Sequence, residues 1–431
     1  MSEKSVAETA TELDENVVEK TVHALEKLGL EFASPTNPKL EKFGLGRFAA
    51  YEQKLGALDT TEIVHILDEG ERERIRALSR KMILWAFAIG ALSGLVSAIA
   101  SALMTVPDQV ATTFGEDLLA FIVNNAVTIG ATAIEVAILY RIALRTVHLI
   151  AREAGIRLAP PSGDTPDSDE RRAVALALAR AALELPNPPQ NPFGINPYKE
   201  ISTFRMVLAT LVFKLKISLT NIVLRFVVRR VGGRTVLKAY LPFTDIFATG
   251  AWDAAVAWRM VRQARIRALG PSACEMLVAD ILRDQKSVRR DVFVVMLRAV
   301  ASCVVRNRDV HPNLLALMRS IVRRLGKAEV KDLDDTQAFL VALDGLAPHE
   351  RYLVLEVLVL ATFPDGHVSR AEVKLLTTIL ERYQGSIDVV TLKTVCRRFV
   401  RGDRLDRQML QAVLRLPPMK EIHGHAHPHA R

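Results

Sequence analysis

The sequence predicts an all-α fold, a transmembrane helical hairpin plus a cytoplasmic helical bundle, on three observations. Met82 to Val106 carries no charged side chain, and Leu118 to Tyr140 is a second apolar run interrupted only by Glu135. From Pro271 onward, apolar residues recur at helical spacing. Nowhere does the strict alternation of a half-buried strand or a glycine-rich phosphate loop appear.

Each apolar run is long enough to cross about 30 Å of hydrocarbon as a helix, where every backbone polar group must be satisfied within the helix. The short link Pro107 to Asp117 makes the pair a hairpin within residues 81–145. Arg72, Arg74, Arg76, Arg80 and Lys81 precede the first run, and Arg141, Arg145, Arg152 and Arg157 follow the second. The link itself holds Asp108, Glu116 and Asp117 and no basic residue, so both termini are expected to face the cytoplasm. Residues 1–80 carry 11 basic and 16 acidic side chains, unlike a cleavable signal peptide, so the first span is expected to act as an uncleaved internal signal. Within that segment Val17, Val18, Val22, Leu25, Leu28 and Leu30 fall near helical spacing, and Gly46 to Leu78 is expected to form one or two amphipathic helices leading to the membrane.

After the hairpin, helix is expected to continue to about Arg157. Residues 146–200 then form a linker broken by Ala159 to Asp169 and by Pro186, Pro188, Pro189, Pro192 and Pro197, with a short Ala/Leu helix at Glu170 to Leu185. Residues 201–270 are expected to be basic membrane-proximal helices. Lys214 and Lys216 in the middle of Phe204 to Val231 argue against a third span, because each charge at a helix centre costs about 2.5–3.5 kcal/mol. A helix lying on the bilayer surface with snorkelling lysines fits better, followed by an antiparallel helix from Phe243 to Arg267. Residues 141–270 hold 20 basic and 9 acidic side chains, a surplus that points to anionic lipid head groups; no nucleic-acid motif accompanies it. In Phe243 to Arg267, Trp252 and Trp258 beside Arg259, Arg262, Arg265 and Arg267 suit a membrane boundary or a buried core equally.

Residues 271–415 read as a soluble bundle. Phe293, Met296, Leu297, Val300 and Val304 share one face, as do Leu314, Leu317, Ile321 and Leu325, while Leu353 to Ala361 is apolar nearly all round and predicts a central helix. Between two helices stands Phe363-Pro364-Asp365-Gly366-His367-Val368-Ser369-Arg370-Ala371-Glu372, where Asp-Gly supplies a turn and Ser369-x-x-Glu372 has capping-box spacing. With its flanking apolar helices, over roughly Asp344 to Arg401, this segment resembles the C-terminal part of tellurite-resistance TerB-like helical domains. The whole arrangement resembles an uncharacterised bacterial two-span membrane family, which implies the bacterial inner membrane. The TerB resemblance implies a divalent metal site at Asp365 and Glu372, with Glu356 as a looser member; the capping role accounts for the same residues without one. In the tail, residues 416–431, His423, His425, His427 and His429 offer alternate imidazoles that suit loose capture of Zn²⁺, Ni²⁺ or Cu²⁺, or simply solubility.

Within the second span Asn124, Thr128 and Glu135 fall close to one stripe, either an ion or proton ligand or a hydrogen-bonded contact between helices. Ala86, Gly90, Gly94, Ala98 and Ala102 form a small-residue ridge on the first span, and Ala126, Gly130, Ala133 and Ala137 form one on the second, predicting tight hairpin packing or homo-oligomerisation. Cys274, Cys303 and Cys396 are odd in number and never in CxxC spacing, which fits a reducing compartment. No nucleophile elbow, HExxH or Walker loop occurs, so a non-enzymatic role is expected. The expectation is an inner-membrane anchor that displays a helical domain to protein partners, in envelope stress or metal response. The alternative is an oligomeric channel or ion-conducting protein using Glu135.

Overall fold

The computed structural model describes residues 38–56, 64–104, 114–158, 166–185, 187, 192–197, 241–283, 288–326 and 332–416. Helices dominate: α1 (Pro38–Leu55), α2 (Glu69–Met104), α3 (Phe114–Glu153), α4 (Pro166–Ala182), α5 (Leu241–Leu282), α6 (Arg290–Asn307), α7 (Pro312–Leu325), α8 (Thr336–Asp344), α9 (Pro348–Ala361), α10 (Arg370–Glu381), α11 (Val389–Arg401) and α12 (Arg407–Gln411). The all-α expectation is met, with one correction: β1 (Ser386–Ile387) pairs antiparallel with β2 (Leu414–Arg415). Two residues per strand are too few to show an alternating pattern. Described residues within 1–61, 68–189 and 200–268 form one compact unit, and those within 62–67, 190–199 and 269–431 form a second.

In the first unit α2 and α3 lie along each other, antiparallel, since Arg74 near the start of α2 donates to Glu153 at the end of α3 at 2.8 Å. The helix α3 stops at Glu153 rather than Arg157. Gly155 adopts a positive φ of 72°, and the Ile156 N–H closes back onto the Ala151 carbonyl, the left-handed helix end that glycine permits without steric cost. The helix α1 packs on α3 and α4 through buried Phe48, and Gly44 allows the approach: a Cβ there would sit 3.0 Å from the Ala179 Cβ. Buried Arg180 pairs with Glu41, and Arg267 donates to the Ala177 carbonyl at 2.6 Å and to Asn187 at 3.0 Å.

Within α2, Glu69–Val96 is long and apolar enough to cross a membrane, and only 28% of its apolar window is buried. Leu84 is 70% exposed and Leu92 61%, and α3 likewise exposes Ile134, Val136 and Ile138.

The helix expected to end at Arg267 runs on through Pro271: α5 extends from Leu241 to Leu282, although proline removes one backbone hydrogen bond. Burial of Ala268, Cys274, Leu277 and Val278 on either side holds the helix together, and the bare Cα of Gly270 receives the Asn313 side chain, whose amide donates to the Pro364 carbonyl at 2.7 Å. Pro242 sits in the first turn of α5, where its missing N–H costs nothing.

The second unit is organised around α6, against which α7, α8, α9 and α10 all pack. It is buried nearly all round, from Val292 to Val305, beyond the single face that periodicity gave it. The stretch Leu353–Ala361 of α9 is entirely buried, in keeping with its nearly all-apolar character, Glu356 being its one acid. Helix starts are fixed locally: Asp335, Asp388 and Asp406 each accept backbone N–H groups of the following turn, and His311 accepts from Asn313 N at 3.3 Å ahead of Pro312. The expected helix within residues 1–35, the surface helix at 204–231 and the tail from residue 417 lie outside the described residues.

Candidate functional site

Between α2, α3 and α5 the usual distribution of polarity is inverted. On α3 the exposed side chains around position 135 are apolar, with Ile134 64% exposed, while the ionisable Glu135 is only 9% exposed. On α5, Phe247, Trp252 and Trp258 are exposed and Asp253 is 9% exposed. The side chains of the two buried acids lie within reach of each other.

Glycine makes the approach of α5 to α2 possible. A Cβ at Gly90 would lie 2.3 Å from Asp253 Oδ2 and 3.0 Å from the Thr249 carbonyl oxygen, and one at Gly250 would lie 2.8 Å from the Phe87 carbonyl oxygen. The first small-residue ridge therefore meets α5 at Gly90, while α2 and α3 pack along each other. Among the described residues no atom lies within 4 Å of the Gly130 Cβ position, and Ala133 and Ala137 are exposed, so these three members of the second ridge lie on an exposed face of α3. Asn124 and Thr128 lie on α3, one stripe with Glu135, but their side chains fall outside those described.

Asp253 was not singled out in the sequence, although one signal was present: it is the sole acid in the small and apolar stretch from Ile246 to Ala257. Glu184, exposed just beyond α4, lies within electrostatic reach of Asp253, and Arg259 faces Glu184.

A second buried polar contact also went unread. His148 on α3 and Glu52 on α1 approach to 3.6 Å, 1% and 6% exposed at their side chains, beside the rings of Phe48 and Tyr51. Burial, reinforced by Arg152, pushes the His148 imidazole down to about 4, and burial raises Glu52 against the opposing pull of Arg152 and Arg157.

In the second unit Ser369 and Glu372 form the capping box: Glu372 N–H donates to Ser369 Oγ at 3.1 Å and Ser369 N–H donates to Glu372 Oε2 at 2.8 Å. Asn307 of α6 donates to Glu372 Oε1 at 2.7 Å and to Asp365 at 3.4 Å, bringing the two acids named by the resemblance together. Burial, with the Asp365 charge beside it, pushes Glu372 up to about 8, which opposes the ionised form that a cation needs. Asp365 also accepts the His367 backbone N–H, and the His367 side chain is exposed. Glu356 belongs elsewhere: Arg407 grips both its oxygens at 2.9–3.1 Å and Gln411 donates at 2.7 Å. Among the described residues no three His, Cys, Asp or Glu side chains gather in a form that could hold a metal ion. His423, His425, His427 and His429 lie outside them.

No family model matches the chain, nor does any curated protein or solved structure.

Proposed function

We propose that this chain is a helical membrane protein of the bacterial inner membrane, in which α2 and α3 cross the bilayer as a hairpin against the apolar first half of α5. The helices from 271 to 415, TerB-like in this view, form a cytoplasmic module for a protein partner, in envelope stress or metal response. The observation that carries it is the inversion of polarity. In water, exposing Leu84, Leu92, Ile134, Phe247 and Trp252 while burying Glu135 and Asp253 is unfavourable at every position, whereas in lipid each choice is the stable one. Arg72, Arg74, Arg76 and Arg80 precede the apolar part of α2 and Arg141 and Arg145 follow that of α3, where anionic head groups would meet them. Alkaline carbonate extraction of membranes tests the first half: the full-length chain should stay in the pellet, and its appearance in the supernatant refutes it. Affinity capture from solubilised membranes tests the second half, with a partner retained by the full chain and lost when residues 271–415 are removed.

The carboxyl pair favours a second reading, ion conduction with Glu135 as a polar ligand. It predicts ion flux in reconstituted vesicles that varies with pH and vanishes in Glu135→Ala.

A further inference from the structure

Asp253 Oδ2 is fully buried, and no N–H or O–H donor among the described residues reaches it. The carboxyl of Glu135, also buried, lies within side-chain reach. Two carboxylates offer only acceptors, so for one to satisfy the other a proton must sit on the pair. Two facing negative charges in a dry setting would also repel strongly, as in other carboxyl dyads.

The charged surroundings do not supply a substitute for that proton. From α2 the pair meets Gly90, which brings no side chain, and from α5 itself it meets the Thr249 backbone carbonyl, another acceptor. Glu184 adds a further negative charge within reach of Asp253 and of Tyr140, and Arg259 is directed to Glu184.

We propose that Glu135 and Asp253 form a proton-binding site that holds one exchangeable proton between α3 and α5, with exposed Glu184 as an acid within electrostatic reach, beside which water delivers or removes it. Release of the proton leaves two opposed carboxylates, so proton occupancy controls how closely α5 packs on α3. The site rests on the bilayer reading for its function but not for its chemistry.

Two measurements test it. Full-length protein in phosphatidylcholine vesicles is treated with dicyclohexylcarbodiimide, which enters lipid and modifies protonated carboxyls, and adducts are located by peptide mass spectrometry from pH 5 to pH 9. An adduct at Glu135 or Asp253 is expected at pH 7, falling as pH rises. Asp253→Asn gives Glu135 an N–H donor but no acid to share a proton with, so labelling of Glu135 at pH 7 should fall about tenfold. No adduct at either residue at any pH, or undiminished labelling of Glu135 in Asp253→Asn, overturns the proposal. Infrared spectroscopy reads the proton without a reagent: at pH 7 wild type should carry protonated-carboxyl intensity, beyond that of Glu372, that is missing from the Glu135→Gln/Asp253→Asn double variant, and equal intensity in the two overturns the proposal. A chain that carbonate strips from the vesicles refutes the bilayer reading alone, since the infrared measurement in detergent still decides the proton.

Discussion

Alanine substitutions at Gly90 and Gly250 should destabilise the first unit while the same change at Gly130 should strengthen it. At Gly90 the added methyl falls 2.3 Å from Asp253 Oδ2 and 3.0 Å from the Thr249 carbonyl oxygen, and at Gly250 it falls 2.8 Å from the Phe87 carbonyl oxygen. Backbone atoms cannot rotate away, so α5 must retreat from α2. Overpacking of this kind costs about 1–3 kcal/mol, and loosening the buried polar contact at Asp253 adds about 1 kcal/mol. Against this, alanine gains about 1 kcal/mol over glycine in any helix interior. Gly90→Ala should therefore lose about 2 kcal/mol net, and Gly130→Ala, with nothing within 4 Å, should gain up to about 1 kcal/mol. All three tryptophans, Trp85, Trp252 and Trp258, lie in this unit, so intrinsic fluorescence during heating in detergent reports on it selectively. The midpoint for Gly90→Ala should fall by about 4–8 °C. A midpoint at or above that of Gly130→Ala would refute the close approach of α5 to α2.

The second unit can be followed by thiol labelling, because Cys274, Cys303 and Cys396 are all buried in it. Arg407→Leu strands the Glu356 carboxylate, completely buried and left with Gln411 alone, and should cost about 3–5 kcal/mol, much of it recovered in Glu356→Leu/Arg407→Leu; equal losses in the single and double variants would contradict this. Glu372 keeps its proton to about pH 8 when folded but loses it near 4.5 when unfolded, so the folded state binds the extra proton between those values. Its contribution is fully present below pH 4.5 and is lost as pH rises through 8, by up to about 5 kcal/mol. Glu372→Gln, which preserves a capping side chain, should flatten the dependence of the denaturant midpoint between pH 5 and 8, and an unaltered slope counts against the buried neutral acid. Leu92→Arg, at a position 61% exposed on α2, should raise the carbonate-extractable fraction through an insertion cost of about 2.5–3.5 kcal/mol, whereas Val390→Arg, 73% exposed on α11, should leave it unchanged.

What was legible in the sequence was what neighbouring residues decide among themselves. The Ser369-to-Glu372 capping box needs one helical turn, the burial of Leu353–Ala361 follows from apolar side chains on nearly every face, with only Glu356 needing distant Arg407 and Gln411, and the apolar runs declare helices by length alone. Most of the misreadings depend on a residue distant in the chain. The helix before Pro271 was expected to end at Arg267 because local chemistry disfavours proline in a helix, and only the packing of Gly270 on Asn313 and of Cys274 and Leu277 in the core reveals why it continues. Glu135 was visible as an anomaly, but its partner Asp253 lies on a helix whose placement no local pattern announces. His148 and Glu52 share that difficulty: each reads as an ordinary polar residue on an amphipathic helix.

On the proposed bilayer reading, the small-residue ridge and the buried carboxyl pair are two outcomes of one constraint. Lipid would remove the hydrophobic drive that brings helices together in water, so association would come from close packing and polar contacts. Close packing requires glycine where backbones cross, and Gly90 and Gly250 stand at the crossing of α2 and α5. A polar contact requires a donor for every acceptor, and the contact chosen here joins Asp253, seated on Gly90, to Glu135. A larger residue at position 90 would therefore disturb the acid pair as well as the helix crossing. Conversely, charging both acids would push on the helix that the glycines allow to approach. The geometry thus couples the separation of α5 from α2 and α3 to the proton count between two side chains, and Gly90→Ala and Asp253→Asn should each alter the labelling of Glu135.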